Sequence, residues 1–173
     1  CCPDDRCAWR RMRILGIDPG SRITGYGVIV AHGHEIGFVA CGTIRTGEET
    51  DFSRRLLTIF EDLCEVISIH QPAVAAVEDI FIDRNPRSAL KLGHARGAAV
   101  VAAMHNNLTV FDYPARKVKQ AVAGYGQAEK GQVQHMVQTL LQLNSSPSKD
   151  ASDALAVAIC HAHHAAYSGR CGA

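Results

Sequence analysis

Four acidic side chains stand out because of where they sit. Asp18 closes an apolar run, Arg13-Ile-Leu-Gly-Ile-Asp18, directly before Pro19-Gly20. Glu78 closes a second run, Ala73-Val-Ala-Ala-Val-Glu78, and Asp150 and Asp153 lie three apart at the start of an Ala-rich pattern. Carboxylates at the tips of buried strands are costly unless something cationic meets them. Two like charges ~4 Å apart repel by about 1 kcal/mol in water and about 4 kcal/mol at an effective dielectric near 20. If the four converge, they need protons, basic partners or divalent metal. An all-oxygen donor set suits Mg²⁺ or Mn²⁺, and that combination points to metal-dependent phosphate chemistry.

The elements that must position these residues can be read from periodicity. Residues 12–18 form a short apolar strand, and Asp18-Pro19-Gly20 a turn in which Pro presets one central φ and Gly tolerates the next. Thr24–Ala31 reads as a second strand and Glu35–Ile44 as a third, the three making an antiparallel meander. A helix follows, capped by Thr50 or Asp51, with Phe52, Leu56, Ile59, Leu63 and Val66 on one face and Pro72 as its stop. Ala73–Val77 is short and unbroken, as expected of a strand covered on both sides. A polar loop, 79–87, leads into a long helix over 88–106. Leu108–Tyr113 is a fifth strand, and Pro114 opens a helix to Ala123. Gly124-Tyr-Gly126 breaks the chain before helices over 128–143 and 150–166. The order βββ-α-β-α-β-α-α-α makes one α/β domain: a five-stranded mixed sheet with helices on both faces. If strands one and four pair, Asp18 and Glu78 share the rim where open α/β sheets hold ligands. Asp150 and Asp153 share a helix face. Taken singly, each has a plain structural reading as a turn residue, an ion-pair partner, a helix-dipole complement or a solvated position.

Composition sets the class. The chain has 173 residues, 47% hydrophobic and 20% charged, enough for one domain with a core. The net charge of +1 does not by itself announce a nucleic-acid partner. Its distribution says more: between Asp83 and Lys130 there are eight basic and three acidic residues, and the four singled-out carboxylates lie outside that stretch. An acidic centre beside basic surface suits a phosphodiester enzyme, although solvated helix faces look the same from charge alone. Seven cysteines, an odd number with no C-x-x-C, argue against a disulfide framework or a zinc site and fit a reducing, cytoplasmic setting. No apolar stretch is long enough to span a membrane. Residues 1–11 are read as an extension outside the fold, 12–167 as the domain, and the segment from Ser168 as a frayed tail.

With their neighbours the acids carry a resemblance. The stretch Leu15-Gly-Ile-Asp-Pro-Gly-Ser-Arg-Ile-Thr-Gly-Tyr-Gly-Val28 resembles the opening motif of the RuvC family of Holliday junction resolvases. Val77-Glu-Asp-Ile-Phe81 resembles its second motif. Ser88–Gly97, Val118-Lys-Gln120, Ala128–Met136 and Asp150-Ala-Ser-Asp-Ala-Leu-Ala156 resemble later blocks, in order, over about Met12 to Ala165. The resemblance implies a ribonuclease H-like fold. It implies that Asp18, Glu78, Asp150 and Asp153 bind two Mg²⁺ ions, with Mn²⁺ able to substitute. It also implies a homodimer that nicks opposing strands of a four-way DNA junction, leaving 5′-phosphate and 3′-hydroxyl ends, alongside the RuvA–RuvB branch-migration complex.

Lys119 and Lys130 resemble family lysines that meet DNA near the scissile phosphate, with Lys117 as a third candidate or a solvated position. Phe81 can stack on an unpaired base or tuck into the core. Arg84, Asn85 and Arg87 could grip backbone. Gly93 and Gly97 share a helix face and are read as the dimer contact; the alternative is close packing on the chain's own sheet. His161, His163 and His164 invite a metal assignment, but His161 lies about 12 Å along the helix from Asp153, so they are read as surface or packing residues. The rivals are a nuclease of this fold acting on RNA–DNA hybrids, an actin-like ATPase, which would need a second lobe, and a junction-binding protein without cleavage.

Overall fold

In the computed structural model, residues 11–79 and 85–168 are described. Expectations for residues 1–10, for Phe81 and Arg84, and for the tail beyond Ser168 therefore lie outside the described residues. Five strands form one sheet in the order β3-β2-β1-β4-β5. They are β1 (Met12–Asp18), β2 (Ile23–His32), β3 (Glu35–Arg45), β4 (Val74–Glu78) and β5 (Thr109–Tyr113). The helices are α1 (Phe52–His70), α2 (Pro86–His105), α3 (Ala115–Ala123), α4 (Lys130–Leu140) and α5 (Lys149–Ser168).

β1 and β4 pair in parallel, Ile17 opposite Val77, so the residues that follow, Asp18 and Glu78, reach the same rim. β1 pairs antiparallel with β2, with Asp18 opposite Gly25. Alternation along each strand divides the side chains between two cores. Ile14, Ile29, Ala76 and Tyr113 face a core shared with α3, α4 and α5. Leu15, Ile17, Val28, Ala75 and Val77 face the other, shared with α1 and α2. By the same alternation Asp18 and Glu78 point to the α5 side. β1 reads as a continuous apolar run because both of its faces are covered.

Local chemistry explains the boundaries. Asp51 accepts a hydrogen bond from Ser53 N at 2.9 Å and starts α1. Gln71, left-handed at φ 48°, ends it just before Pro72. Asn85 caps α2, which begins at Pro86 rather than at Ser88, because Pro is well suited to a first helical turn. α4 is shorter at both ends than its sequence pattern suggested. Glu129 and Gln132 form a reciprocal capping box that starts it, and the left-handed Gln142 (φ 51°) lies just beyond its Leu141 cap. On α2, Ala95, Ala99, Ala102 and Ala103 are buried against the sheet side. Gly93 and Gly97 point away from it, and a Cβ built on either meets nothing within 4 Å. Close packing on the chain's own sheet is thus not their role. Among the described residues, no helix is long and apolar enough to cross a membrane.

Candidate active site

α5 determines how the acids meet. It starts beyond Ser148, whose hydroxyl accepts from Ala151 N at 3.4 Å and whose carbonyl accepts from Ser152 N at 2.8 Å. Its first turn lies over the β1–β2 seam at the rim that carries Asp18. The glycines beneath it make this possible. A Cβ built on Gly25 would stand 2.0 Å from the Asp150 carbonyl oxygen, and one on Gly16 2.1 Å from that of Ala154. The turn after Asp18 is tied as well: the buried Thr24 hydroxyl donates to Gly20 O at 3.0 Å and accepts from Gly20 N at 3.3 Å.

Asp18, Glu78 and Asp153 line one cavity of about 230 Å³, together with Lys119 from α3 and Lys130 from α4. Ala115, Val118, Val133 and Ala156 form its apolar wall. Asp150 does not line it, but its charge acts on both Asp18 and Asp153. A larger hollow of about 640 Å³, by Arg13, His32 and Gln71, lies at the opposite end of β1 and gathers no acidic set.

The electrostatics are those of crowded anions. Asp18 is pushed up to about 8, first by burial, then by the charge of Glu78 and a hydrogen bond with it, then by Asp153 and Asp150. A carboxyl–carboxyl hydrogen bond needs a proton, and the raised pair shares it. Glu78 is also raised by burial, opposed by the hydrogen bond from Asp18 and by the charges of Lys130 and Lys119. Burial raises Asp153 too, against the pull of Lys130 and Lys149. Lys130 Nζ stands 3.6 Å from Asp153 Oδ2. Among the described residues, no three His, Cys, Asp or Glu side chains are gathered so as to hold a metal ion as they stand.

The remaining sequence candidates separate. Arg87 is exposed in the first turn of α2 and Lys117 is exposed on α3; neither lines the cavity. His161 is 4% exposed, and its Nδ1 lies 2.9 Å from the Tyr113 hydroxyl. His163 Nδ1 lies 3.1 Å from Ala121 O. Both are packing residues, as the helical distance to Asp153 implied. Sequence reading overlooked Thr24, Gly25 and Lys149. Gly25 did leave a trace: Gly25 and Gly27 alternate on one face of β2, opposite Gly16 of β1, which marks close approach of another backbone.

The chain is similar to known proteins in sequence and in fold. A family model for crossover junction endodeoxyribonuclease RuvC matches residues 14–161. A protein of that name from Legionella pneumophila strain Philadelphia 1 is 55% identical over 150 residues, 87% of this chain and 86% of its own. One from Geobacter metallireducens is 56% identical over 154 residues, 89% and 94% of the two chains. The structure of T. thermophilus RuvC in complex with a Holliday junction substrate superposes with a TM-score of 0.85 at 34% identity, covering 91% of this chain and 96% of that one. The yeast mitochondrial Holliday junction resolvase Ydc2 shares the fold at a TM-score of 0.66 and 10% identity, covering 93% of this chain and 84% of its own.

Proposed function

The chain belongs to the RuvC family of crossover junction endodeoxyribonucleases, and on that premise we propose that it resolves four-way DNA junctions by symmetric nicks in two opposing strands. The observation that carries this reading is the meeting of Asp18, Glu78 and Asp153 in one cavity with Lys119 and Lys130. Each cut is a hydrolysis. Water oxygen joins phosphorus, the bond from phosphorus to the 3′ oxygen breaks, and a 5′-phosphate and a 3′-hydroxyl remain for a ligase.

The donor set fits divalent metal. It supplies oxygen alone, as Mg²⁺ prefers, and Asp18 is raised first by burial and then by the crowding of Glu78, Asp153 and Asp150. Asp18, Glu78, Asp150 and Asp153 would hold two Mg²⁺ ions, with Mn²⁺ as a substitute. Bound there, the ions would activate the attacking water and stabilise the departing oxygen. The chain's own part is to give up the proton held between Asp18 and Glu78 and to keep the acids at the rim. Lys119 and Lys130 draw the scissile phosphate in, as compact charges suited to a phosphate oxygen. Lys117, Arg87, Arg84 and Phe81 are proposed contacts further along the DNA.

Two opposing cuts call for two sites related by a two-fold axis. The outward face of α2 supports a homodimer, with Leu90, Val101 and Met104 at 64%, 57% and 57% exposure beside the open Gly93 and Gly97. A setting in the cytoplasm beside the RuvA–RuvB complex completes the reading. The test is cleavage of a mobile four-way junction with and without Mg²⁺, set against an RNA–DNA hybrid duplex. Paired, Mg²⁺-dependent nicks in the junction are expected; preferential cutting of the hybrid would refute the assignment.

A further inference from the structure

Three glycines face α5 from the β1–β2 seam, and they do not serve α5 equally. A Cβ on Gly27 would meet the Leu155 side chain at 2.7 Å and its backbone nitrogen at 2.9 Å. One on Gly16 would meet Ala154 O at 2.1 Å and Ala158 N at 2.8 Å. These contacts seat the body of the helix. Gly25 meets Asp150 itself, with a built Cβ 2.0 Å from its carbonyl oxygen and 2.5 Å from its carbonyl carbon. Gly25 is also the β2 residue directly opposite Asp18.

We infer that Gly25 is a positioning residue for the acidic site: its lack of a side chain sets how closely the first turn of α5, with Asp150 and Asp153, approaches Asp18. The inference rests on reading those acids as the metal site. The contact is with backbone, so no rotamer change relieves it. Real Cβ atoms essentially never come within 3.0 Å of such an atom, so a methyl group at Gly25 must part the strand and the Asp150 backbone by at least about 1 Å. A carboxylate pair displaced that far no longer shares cations well with Asp18. Glycine in a strand interior is otherwise unfavourable, and here close backbone approach accounts for it.

The experiment compares wild type, Gly25→Ala, Gly27→Ala and Gly42→Ala. Gly42 serves as control: its Cβ would meet the Tyr26 side chain, which packs with the α1–α2 core. Two quantities are read: single-turnover cleavage of a four-way junction, and the Mg²⁺ concentration at half-maximal thermal stabilisation of the DNA-free protein. For Gly25→Ala we expect cleavage slowed about 10²-fold and the Mg²⁺ midpoint raised about tenfold, with metal-free junction binding unchanged. Asp150→Glu, which reaches further, should recover part of the lost cleavage in the Gly25→Ala background. Gly42→Ala should change melting temperature alone. If Gly25→Ala does not fold, Gly27→Ala decides, because tilting the same helix should raise its Mg²⁺ midpoint above that of Gly42→Ala. A midpoint and rate for Gly25→Ala equal to wild type overturn the inference while leaving the proposed function intact. A wild-type protein that neither binds Mg²⁺ nor needs it to cleave takes down both.

Discussion

Lys130 reaches from α4 to within 3.6 Å of Asp153 on α5, its own side chain 62% exposed and that of Asp153 only 19%. The half-buried acid is thus given a counter-charge by a residue that remains open to a ligand. A pair with one exposed member is worth only about 0.2–1 kcal/mol, so its value is not in holding the fold. Lys130→Ala should leave the melting temperature nearly unchanged and slow junction cleavage by at least about tenfold, as a lost phosphate contact would. Junction affinity should fall, and its log–log salt slope should become shallower by about 1. An unaltered slope would show that Lys130 serves Asp153 and not DNA.

Asp18→Asn should abolish cleavage and leave junction binding intact or tighter. It should also stabilise the metal-free protein. The folded carboxyl titrates at about 8 against 3.8 when unperturbed. Between those values the folded state holds a proton that the unfolded state has released, so wild-type stability falls as pH rises. The melting-temperature gain of Asp18→Asn should therefore be near zero below pH 4, grow through neutrality and level off above about 8. A constant gain across that range would mean that the acidic crowding is not the cause.

His161 should give the opposite slope. Burial first, and the charge of His164 second, lower it from 6.5 to about 4. Between these values the unfolded chain takes up a proton that the folded one refuses, so stability is lost as pH falls from 6.5 toward 4. The loss should be on the order of 1–3 kcal/mol. Thermal melts of wild type minus His161→Gln, recorded from pH 4 to 8, should isolate this term from the carboxyls. A flat difference would place His161 in a wetter setting than its contact with Tyr113 suggests.

Gly93→Arg should yield monomers in sedimentation analysis with little change in melting temperature, because a side chain there meets no part of its own subunit. Cleavage should become unpaired, with single nicks accumulating. Undiminished dimers would remove α2 from the interface.

Much of this molecule is legible in the chain. The runs ending at Asp18 and Glu78 and the helical spacing of Phe52, Ile59 and Leu63 follow local rules of period and punctuation, and the ten elements appear in the expected order. Pro72 and Asp51 act within a few residues of themselves, so their effects need no partner. The motifs around Asp18, Glu78 and Asp153 were visible for the same reason, as contiguous strings. What lay beyond reach was distance. Only the fold sets Asp153 on the cavity and Asp150 beside it, ties the Asp18 turn through Thr24, and separates Lys119 and Lys130 from Lys117. Sequence period could put Gly93 and Gly97 on one face of α2 but not say whether that face met the sheet or solvent. It could show Gly25 alternating with Gly27 but not that a helix formed 125 residues later would rest on it. Such contacts depend on how strands and helices from remote stretches pack, and packing is settled by the whole core at once rather than by any local run.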